Sequence, residues 1–323
     1  MKILKRTIIL IVVFQFNYLI GQEFYMYSKA KPLFNPAFVG TQNLHEVNVI
    51  RKSKIYKQDY FRNNYDSYFV DYETYIPKLK SGIGIFIYNS ETLFEKAYDL
   101  DEKTNLQNIG LTYNFQSNIG KKWAFSLGTR VDRSITNGYV DITDCNLQYY
   151  ICPSKYPSHK PLFKRKSYEK SFNVALGGVI YTRKFNFSLA FNELTYPVKL
   201  RQFYGNMGYN IFFRKKDDHK LSFNLSAKSE GVNTLISLYT QYTLKFISVG
   251  ASYNENIPGT YSLKAGLNTK IFNLSYCYTH KTKELMTFFY TPYRYSLTHE
   301  LALTLKIPNN NKRQSKPLNL LMF

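Results

Sequence analysis

Residues 272–279 read FNLSYCYT, a stretch in which large apolar side chains alternate strictly with small or polar ones. The apolar residues from Phe272 to Tyr278 would share one face, and the residues from Asn273 to Thr279 would share the other. Alternation with a period of two is typical of a β-strand whose two faces meet different surroundings. Residues 301–307, LALTLKI, repeat the pattern with an aliphatic face. The end of the chain is therefore predicted to form strands.

The same alternation extends upstream and predicts about fourteen strands between residues 46 and 307. Most of these runs are close to the roughly 9 to 11 residues that a tilted strand needs to cross a bilayer. Their connections differ in length: PKLKS (77–81) and KKDD (215–218) are short, whereas 91–105 and 134–170 are long. Short periplasmic turns and longer extracellular loops are typical of outer-membrane barrels. We therefore expect an all-β, transmembrane antiparallel barrel with both termini in the periplasm.

A soluble β-sandwich is the alternative, because it would also show alternation and turn signals. The barrel is favoured because the strands exceed what one sandwich uses and no interior linker marks a domain boundary. The polar face is often Gly, Ser, Asn or Thr, which suits a lumen that is wet or filled by side chains. Aromatic residues near strand ends, among them Tyr88, Tyr113, Tyr181 and Tyr239, are interpreted either as girdles at the membrane interfaces or as ordinary strand formers.

The first 22 residues have the order of a targeting segment. Basic residues precede an apolar stretch from Ile8 to Ile20, and small Gly21 follows, which predicts a secretory signal peptide at 1–22 with cleavage near Gly21. A membrane anchor is the alternative, but about 13 apolar residues are short for one. The whole chain carries 43 Lys and Arg against 22 Asp and Glu, a net charge of +21. Because the chain is predicted to be exported, we do not expect nucleic acid as a partner.

Residues 23–45 are predicted to be a periplasmic lead-in to the first strand, because they are too proline-rich to form a regular strand themselves. The stretch Asn35-Pro36-Ala37-Phe38-Val39-Gly40 resembles the N-P-A-[YF]-x-G signature that opens the mature proteins of the PorP/SprF family of type IX secretion membrane proteins, found in Bacteroidota. The resemblance continues through VNVIRKSKIY (47–56), GIGIFIYNSE (82–91) and LTHEL (297–301). It spans nearly the whole mature chain and is most specific at the signature.

The resemblance implies an outer-membrane β-barrel that works with the type IX secretion apparatus. Such barrels bring particular secreted proteins, including gliding adhesins, to the cell surface and hold them there. The implied partners are a secreted type IX substrate or surface adhesin and outer-membrane lipid, with periplasmic type IX or peptidoglycan-linked subunits as further candidates. The signature residues that carry the resemblance are Asn35, Pro36, Ala37, Phe38 and Gly40.

Residues 134–170 are predicted to be a long extracellular loop and the best candidate for recognising the partner. Basic side chains are interleaved there with aromatic ones, and aromatic residues and Arg are enriched at interface hot spots. The candidate binding residues are Tyr149, Tyr150, Tyr156, Phe163, Lys164, Arg165, Lys166 and Tyr168. Cys145 and Cys152 in the same loop form a disulfide or stay free thiols; the sequence leaves both possibilities open. A polar tail, residues 308–323, follows the last strand.

The sequence lacks motifs for catalysis and metal binding. Its five histidines are scattered, with no HExxH and no pair at ligand spacing, and no G-x-S-x-G motif appears. His299 and Glu300 are adjacent on one strand and would point to opposite faces, so they cannot form a catalytic dyad. We expect neither an enzyme nor a cofactor. The alternative to the function implied by the family is a passive porin whose cationic lumen favours anions.

Overall fold

The structure, a computed structural model, describes residues 29–42, 44–58, 61–96, 101–120, 122–143, 161–195, 201–213, 219–230, 233–254, 260–284 and 293–308. Fourteen antiparallel strands within these ranges close into one barrel, as the alternation predicts. The strands are β1 (Leu44–Gln58), β2 (Phe61–Ile76), β3 (Ser81–Lys96), β4 (Asp101–Ile119), β5 (Trp123–Thr143), β6 (Pro161–Tyr181), β7 (Phe185–Asn192), β8 (Gln202–Phe212), β9 (His219–Glu230), β10 (Asn233–Leu244), β11 (Ile247–Asn254), β12 (Thr260–Asn268), β13 (Phe272–Glu284) and β14 (Tyr293–Pro308).

Each strand pairs with its neighbours in the chain, and β14 pairs with β1 to close the wall, with Leu44 opposite Pro308. β1 begins and β14 ends at the end of the barrel where the turns after β2, β4, β6, β10 and β12 lie. This end is here named the short-turn end, and the opposite end the long-loop end. No helix in the described ranges is long and apolar enough to span a membrane.

The strands flanking the predicted loop 134–170 are longer than the sequence suggested. β5 continues to Thr143 and β6 begins at Pro161, with Tyr139 opposite Lys166 and Val140 opposite Arg165. Phe163, Lys164, Arg165, Lys166 and Tyr168 therefore belong to β6 and not to a loop, which corrects the prediction. Hydrophobic alternation misses this part because a strand pair that extends beyond the membrane does not need one apolar face. Tyr149, Tyr150, Tyr156, Cys145 and Cys152 lie outside the described residues.

The two faces of the wall differ as the alternation predicts. On β13, Leu274 and Tyr276 are exposed on the outside, whereas Asn273, Ser275 and Cys277 are buried inside. An apolar outer band with a polar interior is the pattern of a barrel in lipid. Three of the aromatic residues considered for the girdles, Tyr88, Tyr181 and Tyr239, instead point inward, where the first two are 7% and 3% exposed and the third lies beneath the Lys264 ammonium. Tyr113 does lie on the outer face.

Arg in place of Leu303 tests the outer face directly. Leu303 is exposed on the outside of β14, five positions before Pro308 and so close to the middle of the apolar band. The substitution should cost about 2 to 4 kcal/mol of folding free energy, because it places a charge near the bilayer midplane. Urea titrations of the protein folded into lipid vesicles measure this cost. Ile307→Arg, on the same face but at the end of the strand, should cost about 1 kcal/mol or less. Equal costs would contradict the assignment.

Candidate functional site: a plug inside the barrel

The segment before β1 lies inside the barrel. It contains one short helix, α1 (Lys31–Phe34), and a 3-10 turn (Pro36–Phe38). A proline stands in the first turn of each, where its fixed φ favours helical geometry and its missing N–H costs nothing. Asn35 between them is extended, and its side chain caps the 3-10 turn by accepting from the Ala37 N–H at 2.9 Å. Residues 29–42 are here named the plug.

Asn35 also fixes the plug to the wall. The side chain is completely buried, and its Nδ2 donates to the Leu189 carbonyl on β7 at 3.1 Å and to the Gly178 carbonyl on β6 at 3.4 Å. Gly177 leaves the space that the Asn35 carboxamide occupies, since a Cβ there would collide with its Oδ1. One signature side chain thus shapes the plug and anchors it at two strands.

The backbone carbonyls of the plug are matched by donors on the wall, each within hydrogen-bond distance. The Ala37 carbonyl accepts from Asn114 Nδ2 at 3.0 Å and from Ser126 Oγ at 2.8 Å. Arg130 Nη1 donates to the carbonyls of Pro32 and Leu33 at 2.8 and 2.7 Å. Because irregular backbone cannot satisfy its own polar groups, these wall donors are what permits the segment to be buried.

Asp132 orients the Arg130 side chain toward the plug. Its carboxylate accepts from Arg130 Nε at 2.7 Å, so the guanidinium is held on the wall while its other end reaches the plug. The guanidinium also lies 5.9 Å from the centre of the Phe86 ring. Two strands further along the wall, on β7, Asn192 Nδ2 donates to the Phe34 carbonyl at 3.1 Å. Side chains of β4, β5 and β7 therefore bind the plug backbone.

Lys31 forms a buried ionic latch. Its Nζ lies 2.8 Å from Glu46 of β1 and 2.5 Å from Glu73 of β2, and all three side chains are at most 4% exposed. Burial by itself lowers the pKa of Lys31, but the carboxylates of Glu46 and Glu73 outweigh it, so that this pKa is raised. Glu73 also accepts from the Gly40 N–H at 2.7 Å. The two ends of the plug are thus held by the same carboxylate.

Glycine is required at the end of the signature. Gly40 has a φ of +65°, and a Cβ there would lie 2.6 Å from the Thr74 carbonyl oxygen. An L-residue would be strained at this φ and would also clash with β2. Gly82 and Gly128 on the wall similarly leave room for the plug backbone. Three glycines inside strands, Gly82, Gly128 and Gly177, therefore make room for the plug.

Apolar contacts fill the remaining space. Leu33 and Phe34 pack on an interior cluster that includes Ile50, Phe69 and Phe86. Phe38 packs against Ala124, Val179 and Tyr181 near the short-turn end. Polar anchors and apolar contacts together fix the plug inside the barrel.

All five signature residues identified in the sequence, Asn35, Pro36, Ala37, Phe38 and Gly40, lie in this plug. The lead-in predicted to precede the barrel is thus inside it where the structure describes it. The wall residues that hold the plug were not identified as a site from sequence. Charged residues on an otherwise Ser-, Asn- and Gly-rich inner face, such as Glu46, Glu73 and Arg130, were the available signal. The segments 1–22 and 309–323 lie outside the described residues.

Cys277 and Glu300 share the inner face of the wall, and His299 lies on the outer face. Cys277 is a buried free thiol on the inner face, opposite Lys264 and Glu300 in the ladders. Glu300 points inward, whereas His299 bonds to the Tyr276 hydroxyl at 2.7 Å on the outer face, so the two diverge as predicted. The described ranges contain no group of three or more His, Cys, Asp or Glu that could hold a metal ion.

Alanine in place of Gly177 tests the seat of the plug. The new methyl group would collide with the Asn35 carboxamide, so we expect a loss of about 1 to 3 kcal/mol of stability from overpacking. Gly178→Ala is the matched control, because the nearest neighbour of a Cβ at this position, Leu127 Cδ2, would be 3.5 Å away in ordinary contact. Denaturant titration of both variants measures their free energies of unfolding. If they unfold alike, the plug is not seated on Gly177.

Comparison with known proteins gives a consistent assignment. The family model described as type IX secretion system membrane protein PorP/SprF matches residues 20–305. No curated protein sequence matches the chain. Among solved structures, the toluene transporter TodX of Pseudomonas putida has a TM-score of 0.54 at 9% identity, covering 91% of this chain and 95% of that one. A TodX monoaromatic hydrocarbon channel mutant has a TM-score of 0.51 at 7% identity, covering 86% and 94%. These likenesses show the outer-membrane barrel fold alone, and the family match establishes that the chain belongs to the PorP/SprF family of type IX secretion system membrane proteins.

Proposed function

We propose that this outer-membrane barrel helps the type IX secretion system to export or anchor a particular secreted surface protein of the gliding-adhesin type. The observation that carries the proposal is that the segment bearing the family signature is also the segment that lies inside the lumen, bound to the wall. Wall residues on β1, β2, β4, β5 and β7 bind this segment, so a passive porin fits the structure less well. A barrel whose interior is occupied by its own chain is better suited to holding a partner than to free diffusion.

The proposal includes the route and orientation of the chain. Residues 1–22 act as a signal peptide that is removed near Gly21, and the short-turn end faces the periplasm. The long-loop end then faces the medium, as in other outer-membrane barrels. The proposal includes no catalytic step and no cofactor, because the sequence lacks nucleophile and metal-ligand motifs.

The partner would be recognised at the long-loop end, beside the extension of β5 and β6. Tyr168 is 60% exposed there, and the Lys170 ammonium lies 4.8 Å from the centre of its ring. Paired cationic and aromatic side chains of this kind suit a protein interface. Residues 144–160 connect the two strands and carry Tyr149, Tyr150 and Tyr156. Periplasmic type IX or peptidoglycan-linked subunits would meet the short-turn end.

The test compares surface and medium proteins of cells with and without this gene. Without the barrel, a secreted surface protein should disappear from the cell surface. Cells carrying a variant that lacks residues 146–158 should still assemble the barrel, because surface connections tolerate length changes, but should release the same protein into the medium. The variant shortened at 256–258, between β11 and β12, is the matched control and should retain the protein on the cells. An unchanged surface proteome in the gene deletion would contradict the proposed function, whereas retention by the 146–158 variant would contradict only the docking site.

A further inference from the structure

The described turns at the short-turn end all expose basic side chains. The turn after β2 carries two lysines, those after β4, β10 and β12 carry one each in the described residues, and the turn after β6 carries Arg-Lys. These exposed residues, here named the basic ring, are Lys78, Lys80, Lys122, Arg183, Lys184, Lys245 and Lys270. Because consecutive hairpins contribute them, the charges are distributed around the circumference of the barrel.

Exposed apolar side chains stand beside these charges. Leu79 lies between the two lysines of its turn, Phe246 follows Lys245, and Ile271 follows Lys270. Trp123 follows Lys122 and lies on the outer face, with its ring 6.4 Å from that of Phe185. Apolar residues next to Lys or Arg, with Trp on the same face, are the side-chain types found where protein meets the lipid headgroups.

In the described residues of the short-turn end, acidic side chains do not neutralise the positive charge of the basic ring. Glu46 and Glu73, the acidic residues of β1 and β2 nearest to it, are 2% and 1% exposed and face Lys31 in the lumen. The described turns themselves contain no Asp or Glu; Asp217 and Asp218 lie outside the described residues. The surface at this end is therefore cationic and partly apolar.

We propose that the basic ring binds the phosphates of anionic phospholipids in the leaflet at the short-turn end. Lysine and arginine near a membrane surface are attracted to anionic headgroups, and neighbouring apolar side chains enter the acyl boundary. The circular distribution favours lipid over a single acidic protein, because a protein would be expected to need charge in one sector, whereas lipid surrounds the whole barrel. This binding is independent of the proposed secretion role.

Trp123 supplies an internal probe, since it is the single tryptophan of the chain and lies within this region. The protein is reconstituted in symmetric bilayers of phosphatidylglycerol and phosphatidylcholine in which one or the other lipid is brominated, and quenching of Trp123 reports the lipid in contact with it. Because both leaflets have the same composition, the orientation of the barrel does not matter. We expect roughly fivefold enrichment of phosphatidylglycerol at Trp123.

Two matched triple variants test the assignment. Lys122→Gln/Arg183→Gln/Lys184→Gln removes the charges closest to Trp123 and should bring the enrichment close to one. Arg51→Gln/Arg133→Gln/Lys170→Gln removes the same charge from exposed positions toward the long-loop end and should leave it unchanged. If the first variant does not fold, the wild type in 1 M salt serves instead, because a Debye length of about 3 Å should abolish the preference. Equal quenching by both lipids in the wild type would overturn the proposal and favour an acidic protein surface as the occupant, and an enrichment that survives both neutralisation and salt would also overturn it.

Discussion

Deletion of residues 30–41 should convert a barrel without steady conductance into one that passes ions continuously in planar bilayers. The deleted residues carry the apolar side chains that pack inside the lumen and the backbone groups that the wall binds. A barrel of fourteen strands is wider than the eight-stranded barrels whose interiors side chains alone can fill. Its inner face is rich in Ser, Asn and Thr, so water should enter once the plug is gone.

The conductance of single insertion events measures this effect. We expect the deletion variant to exceed the background of the wild type by about an order of magnitude, because the lumen changes from filled to aqueous. Deleting residues 24–28, which precede the plug, is the control and should leave the barrel closed. Assembly of each variant is checked by its folded mobility on unheated gels. A deletion variant that folds and stays closed would mean that the wall itself blocks the lumen.

If the deletion variant does not assemble, a variant with point substitutions tests the same role of the plug. Asn114→Ala/Arg130→Ala removes the donors to the carbonyls of Val39, Pro32 and Leu33 and leaves Ser126 as the donor to the Ala37 carbonyl. Unsatisfied carbonyls would be expelled toward water, since a buried unpaired polar group is costly. This variant should show intermittent openings, because the apolar contacts and the latch remain.

The barrel itself could be predicted from the sequence because each strand carries its own local signal. The outer face of β13 meets lipid and its inner face meets the polar lumen. Apolar residues such as Leu274 therefore alternate with polar ones such as Asn273, and this alternation is visible in the sequence. The parts of β5 and β6 toward the long-loop end could not be predicted in this way. There the pairing of Tyr139 with Lys166 is backbone pairing without a consistent apolar face.

The position of the plug could not be derived from local patterns. The signature residues were identified, but Asn35 binds Leu189, 154 positions away, and Arg130 binds Pro32, 98 positions away. The plug has too short a helix for a periodic pattern, so nothing local distinguishes a segment inside the barrel from one that precedes it. The inward charged residues were a partial signal, because Glu46 and Glu73 on a lumen face require a cation nearby. In the structure the Lys31 ammonium lies between them.

Replacing Lys31 by Met should destabilise the folded barrel by about 3 to 5 kcal/mol, the range for removing one partner of a buried ionic group. Glu46 and Glu73 would face each other in the lumen without the ammonium that now lies between them. The Met side chain keeps the length of the lysine stem, so the effect is largely electrostatic. Urea titration in vesicles gives the free energy. The triple variant Lys31→Met/Glu46→Gln/Glu73→Gln removes all three charges together and should recover most of the loss, since neutral replacement of a buried ionic cluster is often tolerated.

The pH dependence of the same latch follows from the raised pKa of Lys31. A raised folded pKa means that protonated Lys31 stabilises the fold fully below its unfolded value of about 10.4, and that this contribution is lost as the pH rises through the folded value. The difference in stability between wild type and Lys31→Met should therefore stay constant between neutral pH and pH 9, as far as Lys31 is concerned, and shrink in strong alkali. The triple variant serves as the reference for other groups that titrate in that range. A Lys31→Met protein as stable as the wild type at neutral pH would show that the latch does not hold the plug, and the hydrogen bonds of Asn35, Asn114 and Arg130 would then have to account for its position.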